Sequence, residues 1–280
     1  MNFIKRTLKI TSVVALIVAT AMSNSFAAGK AKKSKDNYQF KLGVASYSLR
    51  KFPVDEALNM TKRLGVDNIA LKSYHFPMDA TAEVAAQVKS KSKAAGINFY
   101  GTGVIYMKSK EEVDKAFENA KLAGVKMIIG VPNHELLPYV EKKVKAYDIK
   151  LAIHNHGPGD KLYPSAESAY NLIKDMDKRM GLCIDIGHTK RIGRNPEQDL
   201  VDFFDRVFDI HIKDVTKAEK DGRTCEIGRG VIDFPAFLKA VKKSGYTGVL
   251  ALEFEKDSND PLAGMAESVG YIKGVIESIK

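Results

Sequence analysis

From Tyr38 onward the chain alternates eight short β-rich runs with amphipathic helical stretches. The runs read FKLGVASYSL, VDNIALKS, INFYGTGVIY, VKMIIGVP, IKLAIHNH, MGLCIDIGH, VFDIHIKD and GVLALEFE. Apolar spacing predicts helices over 54–64, 81–95, 110–123, 135–147, 165–175, 196–204, 234–244 and 261–279. Glycines at 65, 96, 124 and 245 follow four of these helices, as expected of residues that accept the left-handed conformation ending a helix. Repeated strand–helix units imply parallel strands joined by crossover helices. Eight such units are the number that closes a barrel. The expected architecture is therefore α/β, a single-domain (β/α)8 barrel over residues 38–280. An open, doubly wound sheet is the competing arrangement. It carries a glycine-rich phosphate loop after an early strand, and GTGVIYMKSKEEV from Gly101 lacks the third glycine and the following acid.

Residues 1–27 read as something other than barrel. Lys5, Arg6 and Lys9 form a basic start, Ile10 to Met22 an apolar stretch, and Ser25 to Ala27 a small-residue cleavage site. That is the pattern of a cleaved secretory signal peptide. Its apolar run is shorter than the roughly 20 residues a membrane span needs. Residues 28–37 then read as a flexible basic lead-in. The expected location is periplasmic or secreted, with no membrane attachment after cleavage. Of the formal net charge of +10, +6 sits in residues 1–36 and +4 in the rest. The basicity is thus mostly the leader's, and no clustered Lys/Arg face suggests nucleic acid. Cys183 falls mid-strand and Cys225 in a loop, so both are expected to be free thiols. A homo-oligomer stays open.

The ends of the last four runs carry metal-ligand types. His154 and His156 end the fifth, Asp185 and His188 the sixth, His211 and Lys213 the seventh, and Glu253 and Glu255 the eighth. Strand side chains alternate faces, and one parity of a barrel strand points inward. His154, Asp185, His211 and Glu253 can therefore converge at the C-terminal mouth, where barrels of this kind carry their active sites. Imidazole and carboxylate together suit Mn²⁺, Co²⁺ or Zn²⁺. A carboxylate such as Glu253 at the end of an apolar strand is costly to bury without a cation. Whether His154 or His156 is the ligand stays open, the other facing the pocket rim. Asp185 has the alternative of a helix cap. His188 is expected to touch substrate or support the ligands. Lys213 is either an electrophilic clamp or a plain ion-pair partner of Asp214. Tyr47, Lys72, His75, Asn133 and His134 lie after other strands and are pocket candidates, as is Glu255. Arg229, in CEIGRGVIDF, either holds a substrate oxygen or sits in a tight surface turn.

The motifs SYSLR, GLCIDIGH, DIHIKD, GRGVIDFPAF and GVLALEFE resemble the xylose isomerase-like TIM barrel superfamily, from about residue 40 to the end. That superfamily includes sugar isomerases and epimerases, inosose dehydratase and the endonuclease IV group. In its ketose 3-epimerases the metal is held by Glu, Asp, His and Glu. The last three match Asp185, His211 and Glu253, but the first falls on His154, so only Glu253 remains as a matched carboxylate base. The resemblance implies a small carbohydrate substrate and proton abstraction α to a sugar carbonyl, through a metal-stabilised enediolate. His188 and Lys213 are the expected partners of Glu253 in catalysis. Isomerase or epimerase chemistry is the first expectation. A lyase or dehydratase acting on a 3-keto sugar, glycoside or inosose-like compound is the second, and a non-catalytic sugar-binding barrel the third.

Overall fold

The computed structural model describes residues 39–279. The expected signal peptide (1–27) and lead-in (28–37) lie outside the described residues. Eight parallel strands close into a barrel: β1 (Lys41–Ala45), β2 (Asn68–Leu71), β3 (Asn98–Met107), β4 (Met127–Pro132), β5 (Lys150–His154), β6 (Met180–Asp185), β7 (Val207–Ile212) and, closing it between β7 and β1, β10 (Val249–Leu252). Two further short strands, β8 (Asp214–Val215) and β9 (Thr224–Cys225), pair antiparallel outside the barrel sheet. The helices are α1 (Val54–Arg63), α2 (Ala82–Ala95), α3 (Lys110–Ala123), α4 (Leu137–Tyr147), α5 (Ala166–Ile173), α6 (Ile186–Arg191), α7 (Pro196–Asp202), α8 (Phe234–Ser244) and α9 (Leu262–Ser278). Short 3₁₀ turns cover Ser46–Leu49, His134–Leu136 and Phe204–Arg206.

The expected helices form with small differences at their ends, and local chemistry explains the boundaries. Thr81, Ser109 and Ser165 each accept a backbone N–H of the first turn with the side chain. Gly96 and Gly124 end α2 and α3 at φ 73° and 75°, where a Cβ would be strained. The short α6 went unpredicted because it follows β6 directly, with Asp185 as its N-cap.

Two layers of core follow from strand alternation. The outward faces of the strands, including Val44, Ile69, Leu182, Ile210 and Leu252, pack against the helices in one large apolar cluster. Inside the barrel a much smaller cluster forms from Ala45, Val249 and Ala251, with Tyr100 packed against it. Small side chains on β1 and β10 leave the interior open enough for the Tyr100 ring to cross it. Cys183 and Cys225 are free and buried, as expected.

Register places the site. His154 is level with Cys183, and Asp185 with His211. His211 is level with Ala251, two residues before Glu253. The four expected ligands thus stand at neighbouring heights on adjacent strands at the C-terminal end.

The opposite end is held by Arg206. Its buried guanidinium donates to the carbonyls of Lys174 (2.6 Å), Met176 (3.0 Å), Asp177 (3.0 Å) and Met180 (2.8 Å), which tie the loop before β6 to the start of β7. Arg206→Met removes these charge-assisted donors and leaves buried carbonyls unpaired. It is expected to cost about 3 kcal/mol or more of unfolding free energy in urea. Ligand binding at the far mouth should be unchanged in the folded fraction; an unchanged denaturation midpoint would contradict the role given to Arg206.

Candidate functional site

The ligand atoms offered by His154, Asp185, His211 and Glu253 all lie within 4.8 Å of one another, and all four residues are buried. His154 Nε2 is 3.1 Å from His211 Nδ1, 3.4 Å from Asp185 Oδ2 and 3.9 Å from Glu253 Oε2. His211 Nδ1 is 3.4 Å from Glu253 Oε2. A tetrahedral cation with bonds of about 2.1 Å has donor–donor edges of about 3.4 Å. The spacing and chemistry of this donor set therefore fit one divalent ion.

Each donor is aimed by its local structure. Asp185 divides its two oxygens: Oδ1 accepts the His188 backbone N–H at 2.8 Å and caps α6, while Oδ2 faces the cluster. The cap and ligand readings of Asp185 are thus compatible. Asn155 fixes the Asp185 backbone from both sides, accepting its N–H at 2.9 Å and donating to its carbonyl at 3.3 Å. Of the two fifth-strand histidines, His154 joins the cluster. His156, its ring centroid 4.6 Å from that of His154, stacks on Tyr106 and meets its hydroxyl at 2.9 Å.

Lys213 is the cationic partner of the cluster. Its ammonium lies 2.9 Å from Asp185 Oδ2 and 2.7 Å from Glu253 Oε2, and also pairs closely with Glu255. The alternative partner, Asp214, is engaged elsewhere. Its carboxylate accepts the backbone N–H groups of Val215, Gly228, Gly230 and Ile232, and so organises the loop after β9. Gly187 makes room for Lys213: a Cβ there would stand 2.2 Å from the lysine Cγ.

Burial and these contacts set the protonation states. Burial pushes Asp185 and Glu253 up, but Lys213 first, then the nearby histidines, holds both carboxyls below their ordinary range. Burial works against the Lys213 charge, yet Asp185, Glu253 and Glu255 together raise its pKa well above the ordinary lysine value. Burial lowers His154, and it lowers His156 to about 4 and His188 to about 3, so these rings are neutral near pH 7. For His211, burial is outweighed by Glu253, Asp209 and Asp185, and its pKa rises. Lys72 is lowered, chiefly by burial.

The remaining candidates divide. His188 sits beside the cluster, its Nε2 4.0 Å from Asp185 Oδ2 and its ring centroid 6.0 Å from that of His154. Lys72 stands between the Tyr47 and Tyr106 rings, 5.5 and 5.8 Å from their centroids, and feels the charge of Glu253. Tyr47 also carries the Arg50 guanidinium at 4.5 Å. Glu255 is at the rim through Lys213. Arg229 is not brought to the mouth; its exposed guanidinium is paired with Glu267 on α9. His75 is buried against Ser46 and the carbonyls of Leu49 and Phe52, where it ties the β1 loop together. His134 and Asn133 are used by Leu162 and Glu135 in the neighbouring loops. Tyr106 and Asn155 were missed. Both sit at or just past strand ends, so the rule that grouped the four cluster residues could have found them.

The family profile described as xylose isomerase-like TIM barrel matches residues 58–275, and the chain belongs to that family. A crystal structure of a putative uncharacterized protein from Parabacteroides distasonis superposes with TM-score 0.67 at 27% identity, covering 84% of this chain and 99% of that one. Inosose dehydratase of Lacticaseibacillus casei is 27% identical over 120 residues, 38% of this chain and 40% of the dehydratase. L-ribulose-5-phosphate 3-epimerase UlaE of Escherichia coli O157:H7 is 24% identical over 237 residues, 80% of this chain and 68% of the epimerase. The matched stretch spans between 40% and 50% of the length of several of the curated relatives.

Lys213→Met strands two buried carboxylates beside one another. In the presence of a chelator the variant is expected to lose about 3–5 kcal/mol of unfolding free energy. Equal urea midpoints for variant and parent would remove Lys213 from the charge balance of the site.

Proposed function

We propose that this protein is an exported, divalent-metal-dependent enzyme of the sugar isomerase or epimerase type, which removes a proton α to the carbonyl of a small carbohydrate. The observation that carries this reading is the four-donor cluster at the barrel mouth, where His154 and His211 stand 3.1–3.9 Å from each other and from the carboxylates. Membership of the family and the sugar-converting names of its relatives support it. The export component rests on the sequence pattern of residues 1–27 alone.

His154, Asp185, His211 and Glu253 would hold Mn²⁺, Co²⁺ or Zn²⁺. A bound cation supplies Lewis acidity toward the carbonyl and neighbouring hydroxyl oxygens of a sugar, which makes the α C–H more acidic. Glu253 meets Lys213, His211 and His154 through Oε2, which leaves Oε1 to accept the proton. Lys213, kept charged by its carboxylate neighbours, is placed to steady negative charge developing on a substrate oxygen. His188 and His156 stay neutral, so either can donate or accept a proton or hydrogen bond to a sugar hydroxyl. Lys72 and Tyr47 border the same mouth and hold the distal end of the substrate.

A second reading is elimination from a 3-keto sugar, glycoside or inosose-like substrate. The resemblance to the ketose 3-epimerases favours it, since it implies a second carboxylate base where this chain has His154. The hydrogen-bonded Tyr106–His156 pair then offers a neutral proton donor for a leaving oxygen.

Incubation with free and 3-keto sugars plus Mn²⁺ or Co²⁺ in D₂O tests both readings. Deuterium at one α carbon with no group lost is the expected result. Release of water or an aglycone instead selects elimination. Tight binding without either means a sugar-binding barrel and contradicts the proposal. Glu253→Gln should cut turnover by roughly 10²–10⁴-fold while leaving the circular dichroism spectrum intact. Full activity in that variant would remove Glu253 as the base.

A further inference from the structure

A carboxylate lies directly beneath the cluster, in the barrel interior. Asp209 is two residues before His211 on β7, has the same inward parity, and is completely buried. An apolar side chain would fill this layer at less cost, since a buried carboxylate forfeits its hydration. Its surroundings are specific. The Tyr100 hydroxyl, reaching across the barrel from β3, meets both oxygens at 3.2 and 3.3 Å. The Cys183 thiol is 3.7 Å from Oδ2. His211 Nε2 stands 3.7 Å from the same oxygen.

That histidine has two nitrogens with different tasks. Nδ1 faces His154 and Glu253. Nε2 points away from the cluster, is buried, and has no hydrogen-bond partner. A ring nitrogen can bind a cation only through a free lone pair, so a neutral imidazole that ligates through Nδ1 must carry its proton on Nε2. Asp209 supplies an acceptor on the side where that proton has to be. At 3.7 Å the separation is longer than a hydrogen bond, so the proton bond requires the two groups to approach.

We propose that Asp209 is a positioning residue for His211. Anchored by Tyr100, it selects the tautomer that bares Nδ1 to the cluster and fixes the angle of the ring. This Tyr100–Asp209–His211 line runs across the barrel interior below the mouth. His154 gives a contrast within the same site: its carboxylate neighbours, Asp185 and Glu253, both lie at Nε2, and its buried Nδ1 has no hydrogen-bond partner. The ordering function therefore falls on His211. The inference rests on His211 being a cation ligand.

The test compares the parent protein with Asp209→Asn and Tyr100→Phe, using Co²⁺ as the probe. Nitrogen-15 shifts of labelled histidines in chelator-treated protein, followed upward in pH until the His211 ring is neutral, report its tautomer without any metal. Calorimetry gives the Co²⁺ dissociation constant, and the visible Co²⁺ spectrum reports ligand geometry. An amide at position 209 can donate to Nε2 and so favours the opposite tautomer. Asp209→Asn is expected to move His211 from the Nε2–H form toward Nδ1–H. It should also weaken Co²⁺ binding about 10–100-fold and alter the spectrum. Tyr100→Phe keeps the acceptor, folds without adding a polar group, and should weaken binding by a smaller factor with the Nε2–H form retained. If the parent binds no Co²⁺, the reading of the cluster fails. If the parent binds and both variants match it in affinity and tautomer, the role of Asp209 is overturned.

Discussion

Two carboxylates, two imidazoles and one ammonium share the buried mouth of this barrel, and their mutual compensation governs the rest of the site. Neither Asp185 nor Glu253 could be tolerated there as an isolated charge. Lys213 contacts both, and its aliphatic stem lies over Gly187, where any side chain would collide with it. The position of the ammonium is thus set by a glycine on α6 as well as by attraction. Asp185 in turn cannot drift, because its other oxygen caps the same helix. Charge, helix start and glycine form one unit.

The barrel supplies what the charges cannot. Parallel strands at matched register bring residues 57 positions apart, such as His154 and His211, to hydrogen-bond distance. Inward small residues on β1 and β10 leave the interior uncrowded, so polar groups on β3, β6 and β7 can form a second tier below the mouth. Stability is held at the other end, by Arg206 among backbone carbonyls, and this division leaves the mouth free to carry residues chosen for chemistry.

Much of this was legible in the amino-acid order. Alternation of β-rich and helical stretches identifies the closed barrel, and strand parity groups Asp185, His211 and Glu253. Parity could not separate His154 from His156, because both point the same way. Height along the barrel axis decides between them: His154 is the last residue of β5, level with Cys183, whereas His156 lies beyond the strand and turns to Tyr106. The residues that parity and strand position leave undecided are those whose partners come from distant packing. Arg229 is drawn off by Glu267 of α9, and His75 by the carbonyls of the loop after β1. Asp214 is consumed by four backbone amides, so Lys213 takes partners from β6 and the end of β10 instead. No local pattern announces such choices. The β8–β9 hairpin escaped notice for the same reason, being only two residues on each side.

The central claim is that His154, Asp185, His211 and Glu253 grip a single cation. Anomalous diffraction from crystals grown with Co²⁺ tests it most directly. One strong peak bonded at about 2.0–2.2 Å to a nitrogen of each histidine and an oxygen of each carboxylate is the predicted result. A mouth without a peak, or Asp185, His211 and Glu253 directed to separate places, would contradict it.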